Sequence, residues 1–163
     1  MILYSKIGYI IFIATLLFIS KEDLSMAKAK EIQLPQPITK GIISLEEAIA
    51  KRRSQRFFGK KELTLYQISQ LLWAAQGITE RRGGYSLRSA PSAGALYPMK
   101  IYALTKDGVY HYLPERHALE VLSESDLRGD LCNASLGQSS VRDAPLDIVI
   151  CAVYERVTLK YGE

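Results

Sequence analysis

Between positions 51 and 61 the chain carries six positive charges, Lys51, Arg52, Arg53, Arg56, Lys60 and Lys61, and no negative one. Guanidinium forks grip phosphate through paired hydrogen bonds, and the hydroxyl of Ser54 adds another donor. Basic residues where a helix ends also complement its dipole. That plainer reading would satisfy a lone pair, but it leaves the interleaved Ser54, Phe57 and Phe58 unexplained. A second candidate is the run 90–98, which contains Pro91, Ser92, Ala93, Gly94 and Ala95. Small side chains let a backbone approach a flat ligand closely, and its amides can bond a heteroaromatic edge. Taken alone, the run reads as a tight connection into a strand. The third candidate is Lys160 beside Tyr161, an amine and a phenol that can act as acid and base if partly buried and are ordinary surface residues otherwise.

The elements that position these groups belong to a globular chain. Its 163 residues are 48% hydrophobic and 23% charged, too apolar for a disordered tail and too mixed for a fibre. One domain with a real core is the default at this length. A net charge of +4 is too small to argue for nucleic acid. Cys132 and Cys151 form no CxxC, and no metal-ligand spacing surrounds His111 or His117, so a disulfide framework, a zinc ribbon and other metal centres are not indicated.

Positions 7–20 are uncharged, too short for the roughly 20 apolar residues of a membrane crossing. They fit the apolar middle of a secretory signal, with Ala27 and Ala29 as the small residues ahead of a cleavage point. Residues 1–29 are therefore expected to export the chain, cleaved or still anchored through 7–20; a start at Met26 would leave a cytoplasmic protein. Residues 30–43, with two prolines, read as an extended linker. Ser44 with Glu47 and Thr64 with Gln67 are capping pairs. They open helices that run to about Arg53 and to the stop at Gly77. Leu65, Ile68, Leu71, Leu72 and Ala75 form the apolar stripe of the second, and Trp73 reads as packing. Residues 81–84 are a turn, 99–105 and 109–113 a β-hairpin, and 117–122 a third strand. Residues 126–136 predict a weaker helix and 146–154 a central buried strand holding Cys151 as a small hydrophobe. The sum is an α+β fold with a mainly antiparallel sheet.

The segments LEEAIAKRRSQRFF, LTLYQISQLLWAAQGIT, RSAPSAGALYPMKIYAL and APLDIVICAVYERVTLKYGE, in this order, resemble the nitroreductase family. More narrowly they resemble its branch of SagB and thiazoline/oxazoline oxidase-type dehydrogenases. RRSxR alone is a weak signal; with QLLWAAQG and APSAGALYP at these separations it is specific. The resemblance covers roughly 32–163 and implies a nitroreductase-like FMN-binding domain over 44–163.

It implies that Arg52 and Ser54 hold the FMN phosphate and that Arg53 lines the same site. Arg56 would reach the pyrimidine end of the ring, where positive charge favours the anionic reduced form. Pro91, Ser92, Ala93, Gly94 and Ala95 would lie along the ring edge. Lys160 and Tyr161 are similar to a Lys-Tyr pair that assists proton removal in the azoline-oxidising branch. Many nitroreductases place asparagine where Ala95 stands; the SagB-like branch reads Gly-Ala, so this departure concerns subgroup. The implied activity is hydride transfer through FMN to or from a nitro, quinone or azoline-type substrate, small molecule or peptide, in a homodimer. Family members continue past the position matching Glu163, with segments that complete the flavin site. The alternative expectation is therefore a catalytically inactive truncated fragment or partner subunit of the same fold. A binding module on an anionic membrane or nucleic acid would leave 90–98 without a role, and no nucleic-acid partner is expected.

Overall fold

Ser44 opens α1 (Leu45–Lys51) from an extended backbone, and its hydroxyl accepts the Glu47 amide at 3.1 Å. The helix stops at Lys51, short of Arg53, because Arg52 swings out to ψ 126°. Thr64 opens α2 (Leu65–Gln76) with a full reciprocal box. The Gln67 amide donates to the Thr64 hydroxyl at 3.3 Å, and the Thr64 amide donates to the Gln67 side chain at 2.8 Å. Gly77 does end α2, though not through a left-handed backbone, since its φ is −66°. A Cβ there would collide with the Trp73 ring. The half-buried indole fills that space and donates to the Ile78 carbonyl at 3.1 Å, the packing role expected of it.

The computed structural model of the protein describes residues 30–162. A five-stranded sheet is built from β1 (Glu31–Gln33), β4 (Met99–Thr105), β5 (Gly108–Leu113), β6 (Ala118–Ser123) and β7 (Asp147–Ala152). Its order is β1-β6-β5-β4-β7, and each neighbouring pair is antiparallel. A separate hairpin joins β2 (Ile78–Arg82) to β3 (Tyr85–Arg88) across Gly83 and Gly84, whose φ values of 55° and 82° suit a tight hairpin turn. The sequence marks that turn, but β2 is charged and without alternation, and β3 is only four residues long. Three short helices follow β6: α3 (Arg128–Ala134), α4 (Ser139–Asp143) and, after β7, α5 (Glu155–Tyr161). Both cysteines are free thiols.

Alternation along the strands sends Ile32, Ile101, Ala103, Tyr112, Leu119 and Ile148 to one cluster with Leu34 and, from α2, Ile68, Leu72 and Ala75. Leu72 is fully buried, which contributes about 1.5–3 kcal/mol. Leu65 and Leu71 of the predicted stripe are instead exposed, and Ser69 and Gln76 are buried.

Two expectations need correction. The predicted central strand is β7, which lies at the sheet's edge among the described residues, with Ile150 62% exposed. An apolar, β-branched run reports what a strand's faces can meet, not how many strands flank it. The segment 30–43 is also more than a linker. Glu31, Ile32 and Gln33 pair with β6, and Leu34 is in the core. Its prolines confine the strand to three residues rather than preventing it. The leader reading of 1–29, with its export, anchoring and Met26 variants, lies outside the described residues.

A buried polar network ties that first segment down. The Ser69 hydroxyl donates to the Pro35 carbonyl at 2.6 Å, and His117 Nε2 lies 2.8 Å from Ser69 Oγ and 2.9 Å from the same carbonyl. Tyr112 Oη lies 2.9 Å from His117 Nδ1. Placing the ring proton on Nε2 satisfies every group, with Tyr112 as donor to Nδ1. Burial pushes the Tyr112 phenol up to about 12, so it keeps that proton. Tyr112→Phe is expected to leave Nδ1 without a partner and to lower unfolding stability by about 1–3 kcal/mol, read from urea denaturation.

Asp147 is the opposite case. Burial raises its carboxyl from 3.8 to about 6, against the lowering effect of Arg128, and Oδ2 has no partner among the described residues. The folded-state value lies above the unfolded one, so ionisation opposes folding. The penalty is absent below the ordinary value and complete above the raised one. Asp147→Asn is expected to raise Tm at pH 7 to 8 and to leave it unchanged near pH 4, checked by thermal melts across that range.

Candidate functional site

The loop between β3 and β4 turns tightly on its own backbone. The Ser92 carbonyl accepts the Ala95 amide at 3.1 Å, the Ala93 carbonyl accepts the Leu96 amide at 3.4 Å, and Ser92 Oγ accepts the Tyr97 amide at 3.0 Å. Gly94, Ala95 and Tyr97 all have left-handed φ values, of 59°, 54° and 44°. Only glycine takes that region freely; the other two cost about 1–2 kcal/mol each. Pro91, Ala93 and Gly94 are exposed and Ser92 and Ala95 half-buried, so the loop offers backbone and small side chains to its surroundings.

The strain is offset by clamps from three elements. Arg156 of α5 donates to the Tyr97 carbonyl at 2.7 Å, and the Val153 amide donates to the Pro98 carbonyl at 2.9 Å. The Arg88 guanidinium lies 4.5 Å from the centre of the Tyr97 ring, and the Arg88 amide donates to the Tyr97 hydroxyl at 3.3 Å. Sequence reasoning assigned no role to Arg88, Tyr97 or Arg156. The faint signal for Arg156 is its place one helical turn ahead of Lys160, on the same face.

α5 follows β7 almost at once and carries Lys160 and Tyr161 over the loop. A Cβ built on Gly94 would lie 2.6 Å from Lys160 Nζ and 2.8 Å from Tyr161 Oη. The amine and the phenol therefore converge on one point of the loop, at its only glycine. Both side chains remain exposed, Tyr161 by 56%. Sequence selected the loop and the pair separately; the structure brings them together.

The basic run leaves the end of α1 as irregular, exposed chain. Arg53 folds back on the carbonyls of Ala50 and Arg52, at 2.9 and 2.7 Å. The side chains of Arg52, Ser54 and Arg56 have no partner among the described residues, so their donors are free for an anion. No hydrogen bond or ion pair among the described residues joins them to the loop or to Lys160 and Tyr161. Phe57, 94% exposed, is not packed. The described residues hold no group of three or more His, Cys, Asp or Glu able to bind a metal ion.

The chain is similar to several known proteins. Residues 49–163 match the nitroreductase family. A Methanocaldococcus jannaschii protein whose name places it among nitroreductases is 40% identical over 144 residues, covering 85% of this chain and 70% of its own length. A solved structure from Ralstonia eutropha, also named for nitroreductases, superposes with a TM-score of 0.69 at 33% identity, over 83% of this chain and 62% of that one. The microcin B17-processing protein McbC of Escherichia coli is 29% identical over 116 residues, covering 64% of this chain and 42% of McbC. The chain thus spans between two fifths and seven tenths of these relatives. With the matched span including the basic run, the loop and the Lys-Tyr pair, this chain belongs to the nitroreductase family.

Proposed function

We propose that the chain is an FMN-dependent oxidoreductase of the SagB-type branch. The observation that carries this reading is the convergence of Lys160 and Tyr161 on Gly94 of the small-residue loop. The residues present fit the cofactor. Arg52, Ser54 and Arg56 keep unpartnered donors suited to a phosphate and to the electron-rich end of a ring. Pro91, Ser92, Ala93, Gly94 and Ala95 offer backbone and small side chains, with the ends of Lys160 and Tyr161 close by at Gly94. Bound FMN supplies two-electron redox chemistry that no side chain can.

Within this reading Arg52 and Ser54 hold the phosphate, with Arg53 beside them, and Arg56 places positive charge at the pyrimidine end. Lys160 Nζ and Tyr161 Oη exchange a proton with the substrate beside the ring. The substrate is a nitro compound, a quinone or an azoline ring. The name of McbC, a processing protein for a microcin, supports a peptide substrate. The working form is a homodimer, exported or anchored through 7–20.

A second reading is a catalytically inactive fragment or partner subunit of the same fold. It is favoured by the apolar surface left uncovered among the described residues. α1 has no buried residue, and Leu45 and Ile49 are 70% and 65% exposed.

Titration of the purified protein with FMN, followed by flavin fluorescence and the visible spectrum, separates the two. The enzyme reading expects a yellow protein that reduces an artificial acceptor. A colourless protein that takes up no FMN refutes it. Replacing Arg52 and Ser54 together by alanine is expected to weaken FMN binding about 10- to 100-fold, the loss of one or two charge-assisted hydrogen bonds. Gly94→Ala would press a methyl group against the ends of Lys160 and Tyr161 and force alanine to a φ of 59°. It is expected to lower kcat at least tenfold in steady-state assays, with the far-ultraviolet dichroism of the parent retained.

A further inference from the structure

Two adjoining clefts lie behind the loop, of about 500 and 400 Å³. They share Arg88, Glu115 and Arg156 in their walls; the first adds Arg81, the second Lys100 and Arg116. Five guanidinium or ammonium groups therefore face one carboxylate. That carboxylate is already engaged, by Arg81 at 3.1 Å and by Arg88 at 3.6 Å. Arg116 is paired with Glu31 at 2.9 Å. Arg156 spends one nitrogen on the Tyr97 carbonyl, and Lys100 has no ion-pair partner among the described residues.

Arg88 is the most informative member. Its side chain is only 12% exposed, its contact with Glu115 is long, and its Nε is buried without a hydrogen-bond partner among the described residues. Its terminal nitrogens hold only long contacts, 3.4 Å to the Gln76 side-chain oxygen and 3.6 Å to Glu115, so a further anion in the cleft would offset the remaining desolvation cost. The Tyr97 ring and the Gln76 carbonyl oxygen, 3.4 Å from Arg88 Nη1, hold the group in place. It is a cation fixed in advance of its ligand.

We propose that the clefts form an anion-binding site in which Arg88, Arg156 and Lys100 receive a carboxylate or phosphate. Ala95, Leu96 and Tyr97 of the loop line the first cleft, so the anion belongs to the substrate as a handle held beside that loop. That assignment to substrate rests on the oxidoreductase reading; the anion binding itself does not.

Calorimetric titration of the full chain at low ionic strength with inorganic phosphate and with the dicarboxylate glutarate tests the site, and the tighter of the two identifies the anion. Submillimolar binding of either is expected. Lys100→Gln is expected to weaken it about fivefold. Lys106→Gln, which removes a lysine paired with Glu62 outside the clefts, should leave it unchanged. Equal weakening by both variants would reduce the effect to net charge and overturn the site. Absence of binding by either anion would overturn it too, as would displacement of the anion by FMN, which would make the clefts part of the cofactor's own site. A protein that binds the anion but no FMN would sink the oxidoreductase reading and leave this one standing.

Discussion

Met99 pairs with Ala152, and that single register decides which loop and which helix meet. It makes the loop that enters β4 and the helix that leaves β7 depart from neighbouring strands at the same end of the sheet. Pro98 and Val153, the next residue on each side, continue the pairing with a further hydrogen bond. α5 then has nowhere to run except across the loop. A slip of one residue would turn every side chain of β7 to the opposite face and carry Arg156 away from Tyr97. The site is therefore a property of two strands and their register more than of any motif.

The arrangement also explains how a strained loop can be part of a stable domain. Ala95 and Tyr97 hold conformations that an isolated peptide would abandon. What keeps them is a set of directed contacts from β3, β7 and α5, each too weak alone. The trio of buried Ser69 and Tyr112 with half-buried His117 plays a comparable part at the opposite edge, fastening the first strand to the turn that precedes β6.

Local features were legible in the sequence and distant ones were not. Thr64 and Gln67 announce α2 because a capping box is made by residues three apart. The β4-β5 hairpin is visible because alternation and a turn lie side by side. The loop residues and the Lys-Tyr pair stood out by composition and by resemblance. Their meeting did not, since it depends on strands some fifty positions apart in the chain. For the same reason the sequence assigns no role to Arg156, whose contact with Tyr97 spans 59 positions. The place of β7 in the sheet was misjudged because hydrophobicity records burial and carries no strand order. The role of 31–34 was missed because two prolines dominate the composition around three pairing residues.

The order in which these contacts can arise follows from their separations along the chain. β4, β5 and β6 form a meander closed by short turns, so little chain entropy opposes it. β7 must instead find β4 across an intervening stretch that includes two other strands and two helices, the slower search. The clamps on the loop from Val153 and Arg156 exist only where that strand is docked and α5 lies in place. Undocking of β7 would thereby release the loop while the meander keeps its own pairing.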